Sequence, residues 1–591
     1  MVPDSANQEP AGRQASAFDA RAWLCRPAAP VVAAVEGDAA AQGVLGGLRF
    51  AVKDNIDVAG LPTTAGCPAF AYTAARHATV VQRLLDAGAS LVGKTHLDQF
   101  ACGLNGSRSP DGALPSSFSA DHVCGGSSSG SAYVVATGQV DFALGTDTAG
   151  SGRVPAAFNN IVGLKPTRGL VSAHGVVPAA QSIDCVSIFA PTVATAWKVL
   201  AACAAHDRAD PYARAVDIDP RPFPAKFRFG IPQPLEFFGD RLAEAAFAAS
   251  TRRLHELGGV PVPVDFEPFA SAAELLYESA LVAERHAAIR GFFDRHEDRV
   301  IEPVRSIIAG GRLYSASDYV AAQTRLRTLA QRIEPVWQAI DLLVVPSAPL
   351  FPRLDAIAAD PIGLNRRLGH YTNFVNLLDL AALAVPGPPR GDGLPAGITL
   401  IAPAGGDFRL AQLGQRFHHA AGQTCGATGM ALPEPEPLDA RVGAAGAWHR
   451  LAVVGAHLSG LPLNGQLLER GARLVERTRT APHYRLYALP GTAPPKPGLV
   501  RVQAGEGVPI AVEVWELPLA HFGSFVAGVP APLAIGTLTL EDGRSVQGFV
   551  CEAAASAGAL DISAHGGWRA WLASSPLDST SRARGSAAHH P

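Results

Sequence analysis

CGGSSSGSAYVVATGQVDFALGTDTAGSGRVPAAFNNIVGLKPTRG, residues 124–169, is the most informative stretch of the chain. It holds two loops of small residues on either side of an apolar run. The first is Gly125-Gly126-Ser127-Ser128-Ser129-Gly130-Ser131; the second is Thr146-Asp147-Thr148-Ala149-Gly150-Ser151-Gly152. Glycine lets the backbone turn tightly and come close to a ligand. Serines held in such turns can offer hydroxyls and backbone N–H groups to one small volume. Upstream, Lys53 stands in Phe50-Ala51-Val52-Lys53-Asp54-Asn55, at the end of a short apolar run. A lone Gly/Ser loop would read as a plain turn or linker. Here two loops, a lysine and the segment Gly163-Leu164-Lys165-Pro166-Thr167 occur together.

Working outward, 591 residues are too many for one ordinary core, so two or more domains are expected. The composition, 48% hydrophobic and 17% charged, is that of a globular protein. A formal charge of −3 gives no electrostatic case for nucleic acid or an anionic membrane surface. The eight cysteines form no CxxC pair, so neither a zinc site nor a disulfide framework is indicated, and no metal or cofactor is expected. Cys124, beside the serine loop, reads as a buried small hydrophobe. Residues 1–16 are polar and lack an apolar core of signal-peptide length. No apolar run approaches a membrane span. A cytoplasmic enzyme is the expectation.

The pattern along residues 17–422 is α/β. Short strand-like runs (Leu48–Val52, Ser90–Val92, Phe142–Leu144, Asp341–Val345) alternate with alanine- and leucine-rich helical stretches. One of these is His77–Gly88, where Val80, Val81, Leu84 and Leu85 follow helical spacing and Gly88 suits the stop. Residues 423–446 contain Pro433-Glu434-Pro435-Glu436-Pro437, which fits neither a regular helix nor a central strand, and read as an interdomain linker. A second, smaller α+β unit follows over 447–574. It has strands at Leu451–Val454, Ile510–Leu517 and Leu533–Leu540, and a helix at Asn464–Ala472. Residues 575–591 read as a polar tail.

The two loops and the lysine resemble the amidase signature family, hydrolases that use a Ser–Ser–Lys triad. The resemblance implies a mixed central sheet covered by helices on both faces. It makes Lys53 the base, Ser127 the bridging serine after a cis peptide bond, and Ser151 the nucleophile; the 24-residue spacing of the serines matches the family. A lysine with its ordinary pKa of about 10.4 is charged at pH 7, so burial must lower that value for Lys53 to act as a base. Backbone N–H groups of Thr148, Ala149, Gly150 and Ser151 are the expected oxyanion stabilisers. Asp54 and Asp147 are expected to brace loops, and Arg153 and Lys165 to be structural.

Four further segments narrow the resemblance to the allophanate hydrolase branch of that family. These are the nucleophile loop 147–160, with Ala149 where generic members tend to have a second glycine and Gly152 where they tend to have an apolar residue, Leu275-Leu276-Tyr277-Glu278 with Val282-Ala283-Glu284-Arg285, Tyr371-Thr372-Asn373-Phe374-Val375-Asn376-Leu377-Leu378-Asp379, and the whole C-terminal unit. The resemblance implies that Tyr277 and Arg285, eight apart on one expected helix, hold a substrate carboxylate. Gly103 is a candidate for close backbone approach to the substrate. Val453-Val454-Gly455-Ala456-His457-Leu458-Ser459-Gly460 resembles the opening strand and turn of a γ-glutamylcyclotransferase-like fold. His457 there could donate or accept a proton, or be a bonded loop residue of a module that aids assembly. The implied substrate is allophanate, the implied functional partner a urea carboxylase or a biuret-forming enzyme, and the implied assembly a homodimer. An amidase for another small acid amide such as malonamate, or an amidotransferase subunit, is the alternative.

Overall fold

The computed structural model describes residues 19–33, 43–440, 442 and 448–574. The expected tails, 1–16 and 575–591, lie outside the described residues, as does part of the expected linker. The chain divides into two compact units, one of residues 1–218 and 223–444, the other of residues 219–222 and 445–591.

The first unit is built on an eleven-stranded sheet. In chain order its strands are β1 (Trp23–Cys25), β2 (Arg49–Lys53), β3 (Ser90–Thr95), β4 (Phe142–Asp147), β5 (Val162–Lys165), β6 (Cys185–Ala190), β7 (Phe227–Gln233), β8 (Gly259–Asp265), β9 (Leu342–Pro346), β10 (Leu380–Pro386) and β11 (Gly397–Pro403). Their spatial order is β1-β3-β2-β4-β6-β5-β10-β11-β9-β7-β8. The sheet is mixed: β2 runs parallel to β3 and β4, β7 runs parallel to β8 and β9, and the strands between are antiparallel. Every residue of β4, β6, β9 and β10 is buried. Strands covered on both faces read as near-continuous apolar runs, and this explains why Phe142–Leu144 and Asp341–Val345 stand out in the sequence.

The principal helices are α1 (Thr79–Asp86), α2 (Ser129–Ala136), α3 (Val154–Phe158), α4 (Val193–Cys203), α5 (Arg241–Glu256), α6 (Glu267–Glu278), α7 (Ala283–His296), α8 (Ala316–Ile333) and α9 (Asp407–Ala421). One apolar cluster joins α1, α4 and α9 to the sheet through Leu84, Trp197 and Phe417. Another joins α6 and α8 through Phe269, Leu276 and Leu329. In α1 the buried residues are Val80, Val81, Leu84 and Leu85, the expected stripe. Phe50 of β2 and Phe142 of β4 stack at 5.2 Å, locking the pair of strands that leads to the serine loops. Such a pair contributes about 0.5–1.5 kcal/mol beyond burial.

Residues 424–440 and 442, read from sequence as part of a linker, pack along the first unit. Ala427 N–H donates to Ala136 O at 2.8 Å, Gln415 Nε2 to Glu436 O at 2.8 Å, and Trp197 Nε1 to Asp439 O at 2.7 Å. Leu438 and Ala440 lie against the main core and Val442 is buried in it. The prolines prevent a helix, as expected, but an extended chain can still present its carbonyls to side chains of a neighbouring surface.

The second unit is a five-stranded sheet with strands Arg473–Arg479, Ala511–Pro518, Trp448–Val453, Ser545–Cys551 and Leu533–Thr539 in that spatial order, and a smaller three-stranded sheet. Its core is distinct and includes Leu451, Tyr484, Val514, Phe549 and Trp568. The helix expected over Asn464–Ala472 ends at Leu468, and the chain turns at Gly471 with φ 71°.

Candidate active site

Strands β2 and β4 are parallel neighbours with Val52 opposite Leu144. Their carboxyl ends therefore deliver Lys53 and the loop 146–152 to one edge of the sheet. Helix α2 starts at Ser129, directly after the serine loop, and the Gly126–Ser127 peptide is cis. Lys53 Nζ lies 2.7 Å from Ser127 Oγ and 2.7 Å from Thr146 Oγ1. The lysine is fully buried. Burial pushes its pKa down to about 7, against the opposing fields of Asp98, Asp184 and Asp147. Ser151 is buried and its Oγ donates a long bond, 3.4 Å, to Gly103 O. Gly103 thus faces Ser151 with backbone, and a Cβ there would collide with the Asp98 carboxylate.

Asp147 organises the loop around Ser151. It accepts from Gly150 N–H and Gly152 N–H, each at 2.9 Å, and takes the Arg153 Nε and Nη2 fork, also at 2.9 Å. Burial works against this carboxylate, but Arg153 and the Gly152 N–H outweigh it and hold its pKa below the usual range. Of the four amides expected to face an oxyanion, that of Gly150 is turned to Asp147. Those of Thr148, Ala149 and Ser151 meet no acceptor among the described residues. Gly150 has φ 127°, and a Cβ there would strike Thr372. Asp184, whose pKa is raised by burial, accepts from the Thr148 hydroxyl and from Ala179 N–H at 2.8 Å.

Tyr277 and Arg285 do not share one helix. Helix α6 ends at Glu278, Ser279 is extended (φ −139°, ψ 177°), and a turn of 3-10 helix leads into α7. The Ser279 side chain accepts from Leu281 N–H, which favours the break over helix continuation. The break folds α7 back so that Arg285 Nη2 donates to the Tyr277 hydroxyl at 2.9 Å. Arg285 is 3% exposed, and its Nε and Nη1 meet no acceptor among the described residues. A buried guanidinium with two unused donors fits a carboxylate.

Asp54 braces its loop as expected, accepting from Thr64 N–H at 2.9 Å and pairing with Lys94 at 3.0 Å. Lys165 Nζ donates to Pro166 O at 2.7 Å. Cys124 is buried, and burial pushes its thiol up to about 12. Among the described residues no group of His, Cys, Asp and Glu could hold a metal ion. None of their helices is long and apolar enough to cross a membrane.

In the second unit His457 Nε2 meets Gln466 Oε1 at 3.0 Å, and the ring stacks on Phe549 at 5.0 Å. Burial lowers its pKa, so the imidazole is neutral at pH 7. It lines a cavity of about 260 Å³ with Gly455, Ala456, Lys496 and Phe525. Glu513 ties down the turn beside it, accepting from Ser459 N–H at 2.7 Å and pairing with Arg477 and Arg569.

The amidase family matches this chain over residues 16–411. The chain belongs to the amidase family. This amidase unit is followed, over residues 449–573, by a match to the allophanate hydrolase C-terminal domain. The urea amidolyase of Saccharomyces cerevisiae is 44% identical over 540 residues, which cover 89% of this chain but 29% of that protein. The chain thus spans under a third of that relative's length. The Kluyveromyces lactis allophanate hydrolase structure superposes with a TM-score of 0.83 at 43% identity, covering 89% of this chain and 88% of that one. One subunit of the glutamyl-tRNA(Gln) amidotransferase from Natronomonas pharaonis is 33% identical over 64% of this chain and 96% of its own length. The chain thus combines the mixed α/β fold of the amidase family with a smaller C-terminal sheet domain.

Sequence reasoning about this amidase missed Thr146, Asp98, Thr372 and Asn376. Thr146 is the second contact of the Lys53 amine. Asp98 accepts from Gly106 N–H at 3.1 Å and Arg108 N–H at 2.8 Å, and its N–H donates to Ser127 O. Thr372 and Asn376 touch the loop around Ser151 directly. A signal existed for the last two: polar residues at i and i+4 within an apolar segment put buried polar groups on one face.

Proposed function

We propose that this amidase hydrolyses allophanate, with Ser151 as nucleophile, Ser127 as proton relay and Lys53 as base. The observation that carries the reading is the pair of unused donors, Nε and Nη1, on the buried Arg285 guanidinium beside the Tyr277 hydroxyl, which fits the anion clamp that allophanate requires. The C-terminal domain match and the allophanate hydrolase relative point to the same substrate.

With Lys53 neutral, its contact to Ser127 can carry a proton towards the amine. Ser151 Oγ attacks the terminal amide carbon, and its proton passes through Ser127 to Lys53. The carbonyl oxygen becomes an oxyanion facing the amides of Thr148, Ala149 and Ser151. The carbon–nitrogen bond breaks, ammonia leaves with the returned proton, and an acyl-Ser151 remains. Water, deprotonated by the same relay, attacks the acyl carbon; the Ser151–acyl bond breaks and a carboxylated carbamate departs. Its breakdown gives the second ammonia and carbon dioxide. In this reading His457, neutral and facing a small cavity with Lys496, moves a proton in that breakdown. A urea-carboxylating activity would supply the allophanate, in line with the urea amidolyase relative.

The test is Ser151→Ala. Ammonia release from allophanate should stop while malonate, an unreactive dicarboxylate, binds as before. Retention of more than a few per cent of turnover would remove Ser151 from the nucleophile's place. Comparison of allophanate, malonamate and glutamine on the unaltered enzyme decides the substrate.

A further inference from the structure

The segment Tyr371–Asp379 supplies two side chains to the loop around Ser151. Thr372 Oγ1 donates to Ala149 O at 2.6 Å, and Asn376 Nδ2 donates to Asp147 O at 2.7 Å and to Ile183 O at 2.9 Å. Both residues are fully buried. Arg153 fixes them in turn, with Nη1 donating to Thr372 O and Nη2 to Asn376 Oδ1, each at 3.2 Å.

In a trans peptide the C=O and the following N–H point in opposite directions. Fixing a carbonyl therefore aims the next amide. The Asp147–Thr148 peptide has its carbonyl on Asn376, which turns the Thr148 N–H to the opposite side. The Ala149–Gly150 peptide is pinned at both ends, its carbonyl on Thr372 and its N–H on Asp147. The Gly150–Ser151 peptide has its carbonyl on the N–H groups of Arg153 and Val154 at the start of α3, which turns the Ser151 N–H away from the helix. These three fixed peptide planes aim the amides of Thr148 and Ser151 as unclaimed donors and keep that of Gly150 on Asp147, while the Ala149 N–H between them also meets no acceptor among the described residues. Without Asn376 the Asp147 carbonyl would lose this anchor, and without Thr372 the Ala149–Gly150 plane would hang on its Asp147 contact alone; either carbonyl swinging towards the reacting carbon would repel a developing negative charge.

We propose that Thr372 and Asn376 are positioning residues for the oxyanion: Asn376 holds the Asp147 carbonyl and so aims the Thr148 N–H, and Thr372 holds the Ala149 carbonyl away from the charge that develops in the transition state. Neither side chain needs to touch the substrate. The proposal rests on Ser151 as the nucleophile. A donor aimed in advance matters most where charge develops, so its loss should be felt in kcat and little in ground-state binding.

The experiment compares Thr372→Val, which keeps the shape and removes the hydroxyl, with Thr372→Ser, which keeps the hydroxyl. For Thr372→Val, kcat should fall roughly tenfold or more, since losing a whole oxyanion donor costs about a hundredfold or more. Malonate affinity should stay within about twofold, because the carboxylate clamp is untouched. Affinity for a small alkylboronic acid, which adds to a serine as a tetrahedral anion, should fall by the same factor as kcat. Thr372→Ser should restore both. If Thr372→Val does not fold, Thr372→Cys serves the same comparison, its thiol being a weak donor of similar size. Equal losses for malonate and boronate, or an unchanged kcat, would overturn the positioning role. Ser151→Ala keeps the two readings apart. If it retains turnover, the nucleophile assignment fails. If it is inactive while Thr372→Val shows no selective loss of boronate binding, the positioning role alone fails.

Discussion

A lysine buried away from water is pushed towards its uncharged form at a cost to the fold, and Lys53 is such a residue. Its folded pKa of about 7 lies below the value of about 10.4 for an unfolded chain. Between those values the unfolded chain binds more protons, so this site's contribution to stability rises with pH from about 7 to about 10. Below pH 7 it withholds on the order of 4 kcal/mol relative to strongly alkaline solution. Lys53→Met, which removes the charge and keeps the length, should therefore abolish turnover and raise the melting temperature at pH 6, with the gain shrinking towards pH 10. A variant that melts lower at pH 6 would show that the contacts to Ser127 and Thr146 outweigh the desolvation. The wild-type rate should have an acid limb near pH 7, because protonating Lys53 removes the base. The sequence singles out Lys53, Ser127 and Ser151 because all three sit in short motifs, and the contact between Lys53 and Ser127 agrees with that choice. Thr146 and Asp98 were not legible, since what they do depends on which strand ends come together in space.

At the scale of elements, the break at Ser279 decides whether Tyr277 and Arg285 meet, as the proposed anion clamp requires. A continuous helix would place Tyr277 and Arg285 about 12 Å apart along its axis at 1.5 Å per residue. The extended Ser279 brings them to hydrogen-bond distance instead. The helical stretch was readable from its apolar spacing, but the interruption was not: serine is common inside helices, and only its bond to Leu281 N–H marks the cap. Arg285→Ala should weaken allophanate and malonate strongly, by charge-assisted bonds of about 1.5–3 kcal/mol each, and neutral amides far less. Inhibition constants for malonate set beside kcat/KM for a neutral amide measure this; equal losses would make Arg285 a structural residue. Arg285→Lys should recover only part of the binding, because an ammonium cannot reproduce the planar fork.

For the whole molecule, the division into two units was legible from the Pro-Glu-Pro run, but the place to cut was not. A proline-rich stretch reads as a spacer by composition, whereas here Glu436 and Asp439 bond to the first unit and Val442 is buried in it. A chain ending at Leu432 should therefore be less stable than one ending at Ala444. Removal of the buried Val442 alone forfeits about 1.5–3 kcal/mol of apolar burial, to which the partly buried Leu438 adds. Thermal melting of the two truncated proteins checks this, and equal midpoints would mean that the strap contributes nothing. Both should still release ammonia from allophanate at low temperature, since Lys53, Ser127, Ser151, Tyr277 and Arg285 all precede residue 432. The parallel pairing of β2 with β4 carries a further consequence, in time. Lys53 and Thr146 meet only when strands far apart in sequence have paired with Val52 opposite Leu144. A slip of one residue would turn the lysine to the other face of the sheet. Catalysis therefore reports that a long-range pairing is complete and in register. During refolding from denaturant, turnover should reappear after the helical circular-dichroism signal, and the interval between them is a clock for assembly of the sheet.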